Sequence, residues 1–81
     1  MRFELQIDKK SIQALEKFPK ELRHRIFDKI IDSTSEPFRY FQRLEGCTAY
    51  RMRVGNYRII ADIEGNIILV RLIGHRRQVY K

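Results

Sequence analysis

At 81 residues the chain reads as one domain, residues 1–81, with little room for a second core. Hydrophobic residues make up 43%, enough for a packed interior, while 17 Lys and Arg against 10 Asp and Glu leave a formal charge of +7. That balance argues against wholesale disorder and favours polyanions or acidic proteins as partners. The lone Cys47 excludes an internal disulfide and metal sites built on cysteine pairs, and reads as a small residue near a strand start. No apolar run approaches the roughly 20 residues needed to span a bilayer, and Met1-Arg2-Phe3-Glu4 is neither a signal peptide nor an amphipathic presequence. A cytoplasmic protein is expected, with no membrane attachment, metal or cofactor.

Residues 2–7 alternate, with Phe3, Leu5 and Ile7 against Arg2, Glu4 and Gln6, the period-2 pattern of a half-buried strand. Asp8 offers an N-cap to a short helix carrying Ile12, Leu15 and Phe18 on one stripe. Pro19 suits the first turn of a second helix, where Leu22, Ile26, Phe27, Ile30 and Ile31 form an apolar stripe and His24 lies on the polar side. Ser33-Thr34-Ser35 and Pro37 end it, and two helices joined this tightly predict an αα-hairpin. Residues 36–47 read as irregular, with Phe38, Tyr40, Phe41 and Leu44 among Arg39, Gln42 and Arg43. Three short strands follow, at about 48–54, 57–63 and 67–73, separated by Gly55-Asn56 and Gly65-Asn66. A loop of two residues with Gly first suits a type II′ hairpin. The order β-α-α-β-β-β predicts an α+β fold, an antiparallel sheet with the αα-hairpin packed on one face.

Tight turns fix register. Val54 then faces Tyr57, Met52 faces Ile59 and Tyr50 faces Ala61; in the second hairpin Ile63 faces Ile68, Ala61 faces Val70 and Ile59 faces Leu72. Residues directly opposite share a sheet face. One face therefore collects Tyr50, Met52, Val54, Tyr57, Ile59, Ala61, Ile63, Ile68, Val70 and Leu72, and becomes the core. The other collects Arg51, Arg53, Arg58, Ile60, Asp62, Leu69, Arg71 and Ile73. Arg53 sits opposite Arg58, and like charges so placed cost roughly 0.2–1 kcal/mol per pair. A single strand arginine is explained by an ordinary solvated face that resists edge aggregation. Three arginines in a register set by two independent turns make sense when an anion completes them. Arg71, diagonal to Asp62, reads as a structural ion pair.

The closing Gly74-His75-Arg76-Arg77-Gln78-Val79-Tyr80-Lys81 leaves the third strand in position to fold over the arginine face. Arginine forks bind phosphate in bidentate fashion, and Tyr80 is able to stack on an unpaired base. Composition fits equally a basic tail whose tyrosine docks on the core. Taken together, Tyr50-Arg51-Met52-Arg53-Val54, Gly55-Asn56-Tyr57-Arg58-Ile59-Ile60, the preceding Leu44-Glu45-Gly46 and the closing Gly74-His75-Arg76-Arg77-Gln78-Val79-Tyr80 resemble the RelE/ParE toxin superfamily, in order and across essentially the whole chain.

The resemblance implies a RelE-like fold and a ribosome-dependent endoribonuclease, an mRNA interferase that cuts in the decoding site and is held inactive by an acidic, RelB-like antitoxin. By position it implies catalytic roles for Arg51, Arg53, Arg58, Arg76 and Tyr80, and RNA contacts for Arg43, His75, Arg77 and Lys81. The reaction is attack of the 2′-hydroxyl on the adjacent phosphorus, with no metal required. One departure matters. Where the family's ribonucleases often carry lysines on the first of the three strands, this chain has Arg51 and Arg53, and guanidinium is too basic to accept a proton near neutrality. Either positioning and electrostatics do most of the work, or His75 assists proton transfer. The competing expectations are a ParE-like inhibitor of DNA gyrase without nuclease activity, and a non-catalytic basic module that binds RNA or an acidic protein.

Overall fold

Asp8 sets the first reversal of the chain. In the computed structural model, which describes residues 2–75, strand β1 (Glu4–Ile7) gives way there to helix α1 (Lys9–Lys17). The Asp8 carboxylate accepts the Ser11 N–H at 2.9 Å, satisfying one of the orphan donors of the first turn. Ser11 and Leu15 turn inward and Phe18 follows them, whereas Ile12, expected on that stripe, is exposed. The spacing 12, 15, 18 drifts round a helix at about 100° per residue, so the line through 11, 15 and 18 is the one that stays on the sheet.

Helix α2 (Lys20–Ser33) begins one position after Pro19, which occupies the N-cap rather than the first turn. Its buried line is Ile26, Ile30 and Ser33, with Leu22 packed against it. Phe27 and Ile31, expected in the stripe, lie on its flank and stay exposed. The helix ends where Ser33 Oγ and Thr34 Oγ1 donate to the carbonyls of Ile30 and Ile31 at 2.6 and 2.7 Å, a local alternative to helical continuation.

The stretch expected to be irregular is more ordered than its composition suggests. Pro37 pre-sets the first turn of the short helix α3 (Pro37–Tyr40), and Phe41 buries itself beyond it. Strand β2 (Gln42–Arg43) then pairs antiparallel with β3 (Ala49–Val54), Gln42 opposite Arg51 and Arg43 opposite Tyr50. Strands β4 (Tyr57–Glu64) and β5 (Ile67–His75) complete a sheet of five in the order β1-β5-β4-β3-β2.

Both turns form as the sequence dictates. Gly55 and Gly65 adopt φ of 58° and 59°, and no described non-glycine residue has positive φ, the signature of II′ turns with Gly first and Asn second. The β3–β4 register is the expected one throughout: Val54 opposite Tyr57, Arg53 opposite Arg58, Met52 opposite Ile59, Tyr50 opposite Ala61. The α+β architecture also stands, but the sheet is not wholly antiparallel. Strand β1 lies parallel to β5, with Leu5 opposite Ile68 and Ile7 opposite Val70. An alternating strand specifies which face it buries and carries no signal for the direction of its neighbour.

A second correction comes from a β-bulge. Ala61 pairs with Val70 and Ile60 with Leu72, so Arg71 has no residue opposite it. Beyond the bulge every side chain of β5 changes face relative to the simple register. Leu72, expected in the core, is 43% exposed; Ile73, expected outside, is 5% exposed and lies opposite Ile59. The core therefore sits between the helices and one sheet face, with Leu15, Ile26 and Ile30 above Met52, Val54, Ile59, Ala61, Ile68, Val70 and Ile73.

Candidate nucleic-acid interface

The sheet face away from the helices presents Arg51 and Arg53 from β3 and Arg58 from β4. Arg53 and Arg58 are directly opposite, one rung from the Gly55-Asn56 turn, and Arg51 lies opposite Ile60. Gln42 joins them from β2, opposite Arg51. Asp62 shares the face and is engaged: Arg71 Nη1 donates to its Oδ2 at 3.0 Å, the structural pair expected from the sequence.

Arg58 departs from expectation. It was placed on an open face, yet only 6% of it is exposed. Its Nη1 donates to the carbonyls of Gly55 at 3.4 Å and Tyr57 at 3.2 Å, folding the side chain back against its own turn. Gly74, opposite it on β5, carries no side chain. Two carbonyl dipoles draw one guanidinium of the facing pair away from the other, which relieves the like-charge contact with Arg53. They do not neutralise it. The described ion pairs are Arg39–Glu36 and Arg71–Asp62, and neither involves Arg58. The Arg58 Nε is buried without a hydrogen-bond partner. A buried cation is costly unless an anion completes it. The site is thus a fixed cation at the base and a movable one, Arg53, at the rim.

The remaining expected site residues divide. His75 lies opposite Tyr57, on the helix side of the sheet, with ring centroids 5.5 Å apart and edge-on; Tyr57 in turn meets Phe18 at 5.0 Å. The bulge moved it there, since the simple register puts residue 75 with the arginines. Arg43 is also turned away, opposite Tyr50, and lines an open depression of about 490 Å³ with residues 44–48. Its Nε points to the Cys47 carbonyl at 3.5 Å. Arg76, Arg77, Tyr80 and Lys81 lie outside the described residues.

The structure adds a feature that the sequence reading missed. A groove of about 310 Å³ runs beside Arg51 and Arg53 and is lined further by Lys29, Arg39, Tyr40, Gln42 and Met52. Lys29 belongs to α2 and Arg39 and Tyr40 to α3, so these groups converge only once α3 and β2 have formed. The aromatic and basic composition of residues 38–43 was the available signal.

A family model for the ParE toxin of type II toxin–antitoxin systems, parDE, matches residues 5–80. The chain belongs to the ParE toxin family. As a RelE/ParE superfamily toxin it is 48% identical over 31 residues to Toxin RelE3 of Methanocaldococcus jannaschii, a match covering 38% of this chain. That match spans about a third of the curated relative, 35% of its length. Among solved structures, the toxin resembles the archaeal RelE–RelB complex of Pyrococcus horikoshii OT3 at 26% identity and a TM-score of 0.80, over 94% of this chain and 97% of that one. It also resembles the RelBE2 toxin–antitoxin complex of Mycobacterium tuberculosis, with a TM-score of 0.85 over 94% of this chain and all of that one; at 20% identity this likeness concerns the fold.

Proposed function

We propose that this toxin is a ribosome-dependent endoribonuclease that cuts mRNA in the decoding site, with Arg58 and Arg53 gripping the phosphate at which the chain is broken. The observation that carries the reading is the buried Arg58, held by two carbonyls, its Nε unpartnered, with Arg53 at the opposite position on β3. Arg58 so held is preorganised for a dianionic phosphorane and pays little reorganisation as charge develops, and Arg53 closes on the same phosphate from the rim. The 2′-hydroxyl oxygen attacks phosphorus and gives up its proton to water, the bond to the 5′-oxygen breaks and that oxygen takes a proton from water, and the products carry a 2′,3′-cyclic phosphate and a 5′-hydroxyl. Arg51 holds a neighbouring phosphate. The parts proposed for Arg76 near the leaving oxygen, Tyr80 at a base, and Arg77 and Lys81 along the backbone rest on the family resemblance alone. An acidic antitoxin is proposed as the partner that covers this face when the toxin is silent.

The family match, to ParE toxins, favours one second reading: inhibition of DNA gyrase without RNA cleavage. Adding the toxin to a ribosome-programmed translation mixture and mapping mRNA ends by primer extension separates the two. Breaks within the decoding-site codon are expected, with none on naked RNA. Intact mRNA together with blocked gyrase supercoiling would replace the nuclease with the gyrase inhibitor.

A further inference from the structure

We propose that the groove round the edge of β3 is a second RNA contact, holding the single-stranded stretch that flanks the phosphate gripped at Arg53 and Arg58. The inference rests on the RNA reading of the arginine face and extends it to residues outside that face. Strand β2 pairs with β3 only at Tyr50 and Arg51, so the edge of β3 at residues 52–54 has no strand beside it among the described residues. The groove follows this uncovered edge from the arginine face to the helical layer. Among the described residues its walls supply four cations, Lys29, Arg39, Arg51 and Arg53, with Gln42 and the 37%-exposed Tyr40 between them, and no carboxylate.

The composition selects the occupant. Cations spaced along a channel follow a phosphate backbone, and an accessible aromatic ring accepts a stacked base whatever its identity. Arg39 is paired only with Glu36, at 3.2 Å between two exposed side chains. A pair of that kind is worth little and exchanges readily for a phosphate. An acidic amphipathic helix, the other polyanion at hand, needs an apolar surface for its second face. Among the described residues the groove offers the buried Met52 and the one exposed ring of Tyr40, a platform for a base rather than for the face of a helix. The groove also has an end. Its continuation toward Gly55 shares Lys29 and Tyr40 and adds Arg25 with Asp28 and Asp32. There two carboxylates offset two cations, so the excess of positive charge that draws a phosphate chain ends near Tyr40.

The test is single-turnover cleavage on ribosomes programmed with a defined mRNA, measured against toxin concentration. Tyr40→Ala and Lys29→Gln are each expected to raise the half-saturating concentration about five- to fiftyfold, the range for a lost stacking or phosphate contact. The maximal rate should stay within about twofold of wild type, because the groove lies beside the reacting phosphate and not on it. Tyr40→Phe, which keeps the ring, should restore tight half-saturation, and Lys29→Gln should flatten the salt dependence. Unchanged saturation curves for Tyr40→Ala and Lys29→Gln, with wild type cleaving normally, would overturn the groove and leave the nuclease standing. So would variants that cleave normally but fail to bind the acidic antitoxin. A wild-type toxin that cuts nothing removes the nuclease reading first, and the groove with it.

Discussion

Replacing Arg58 by methionine separates what the residue does for the fold from what it does for RNA. The guanidinium is 6% exposed, its two hydrogen bonds are long at 3.2 and 3.4 Å, and its Nε has no partner. Removing it forfeits those two bonds, together about 1–3 kcal/mol. It also removes a desolvation penalty of several kcal/mol and whatever repulsion with Arg53 the two carbonyls leave, at most about 0.2–1 kcal/mol. Methionine keeps the length and fills the space. The balance predicts a change between about zero and 2 kcal/mol in favour of the folded state, hence a Tm unchanged or raised by up to about 16 °C in a domain of this size. Cleavage on programmed ribosomes should nevertheless fall about 10²–10³-fold, as for loss of one preorganised donor to a developing oxyanion. Thermal unfolding followed by circular dichroism gives the first number and primer-extension rates give the second. A folded Arg58→Met toxin that cleaves within about threefold of wild type would refute the phosphate grip. A loss of several kcal/mol of stability would mean that the buried cation pins the turn and was never balanced at a cost.

Two further substitutions test the bulge and what it moved. Ile73→Ala should cost about 2–5 kcal/mol in urea denaturation, whereas Leu72→Ala should stay within about 0.5 kcal/mol; the reverse order would restore the unbulged register. His75→Phe preserves the edge-on contact with Tyr57 and removes the imidazole, so cleavage should remain within about threefold of wild type. A loss of a hundredfold in a stably folded His75→Phe toxin would bring the imidazole to the phosphate and contradict its place on the helix side.

What was legible in the sequence had a local chemical cause. Gly-Asn at both turns fixed the hairpins, because glycine first and asparagine second fit only one sign pattern of φ, and the β3–β4 register followed residue by residue. Asp8 announced its helix through a single side-chain oxygen. The parallel pairing of β1 was not legible, since direction is decided by the path of the whole chain. Nor was the order in residues 37–43. A helix of one turn and a strand of two residues carry too few positions to establish a period, and both exist because β3 and α2 are there to receive them.

The bulge was hidden by composition. Residues 67–73 are apolar at every position but Arg71, so no alternation reported which of Leu72 and Ile73 faced inward. Its consequences concentrate at the site. It seats Ile73 in the core, sets side-chain-free Gly74 beside Arg58, and turns His75 toward Tyr57. Without it Ile73 stands opposite Arg58, and the arginine has an isoleucine as its cross-strand neighbour in place of a glycine. The same local irregularity therefore sets a glycine beside the buried cation and turns away the one imidazole that the sequence had offered as a proton carrier. Among the described residues the arginine end of the face holds guanidinium groups and Gln42; Asp62 is already engaged by Arg71, and Glu64 and Glu4 lie toward the other turn. A face so composed works by holding charge in place, and the rate it contributes is the rate that fixed positive charge gives to a phosphate already aligned for attack.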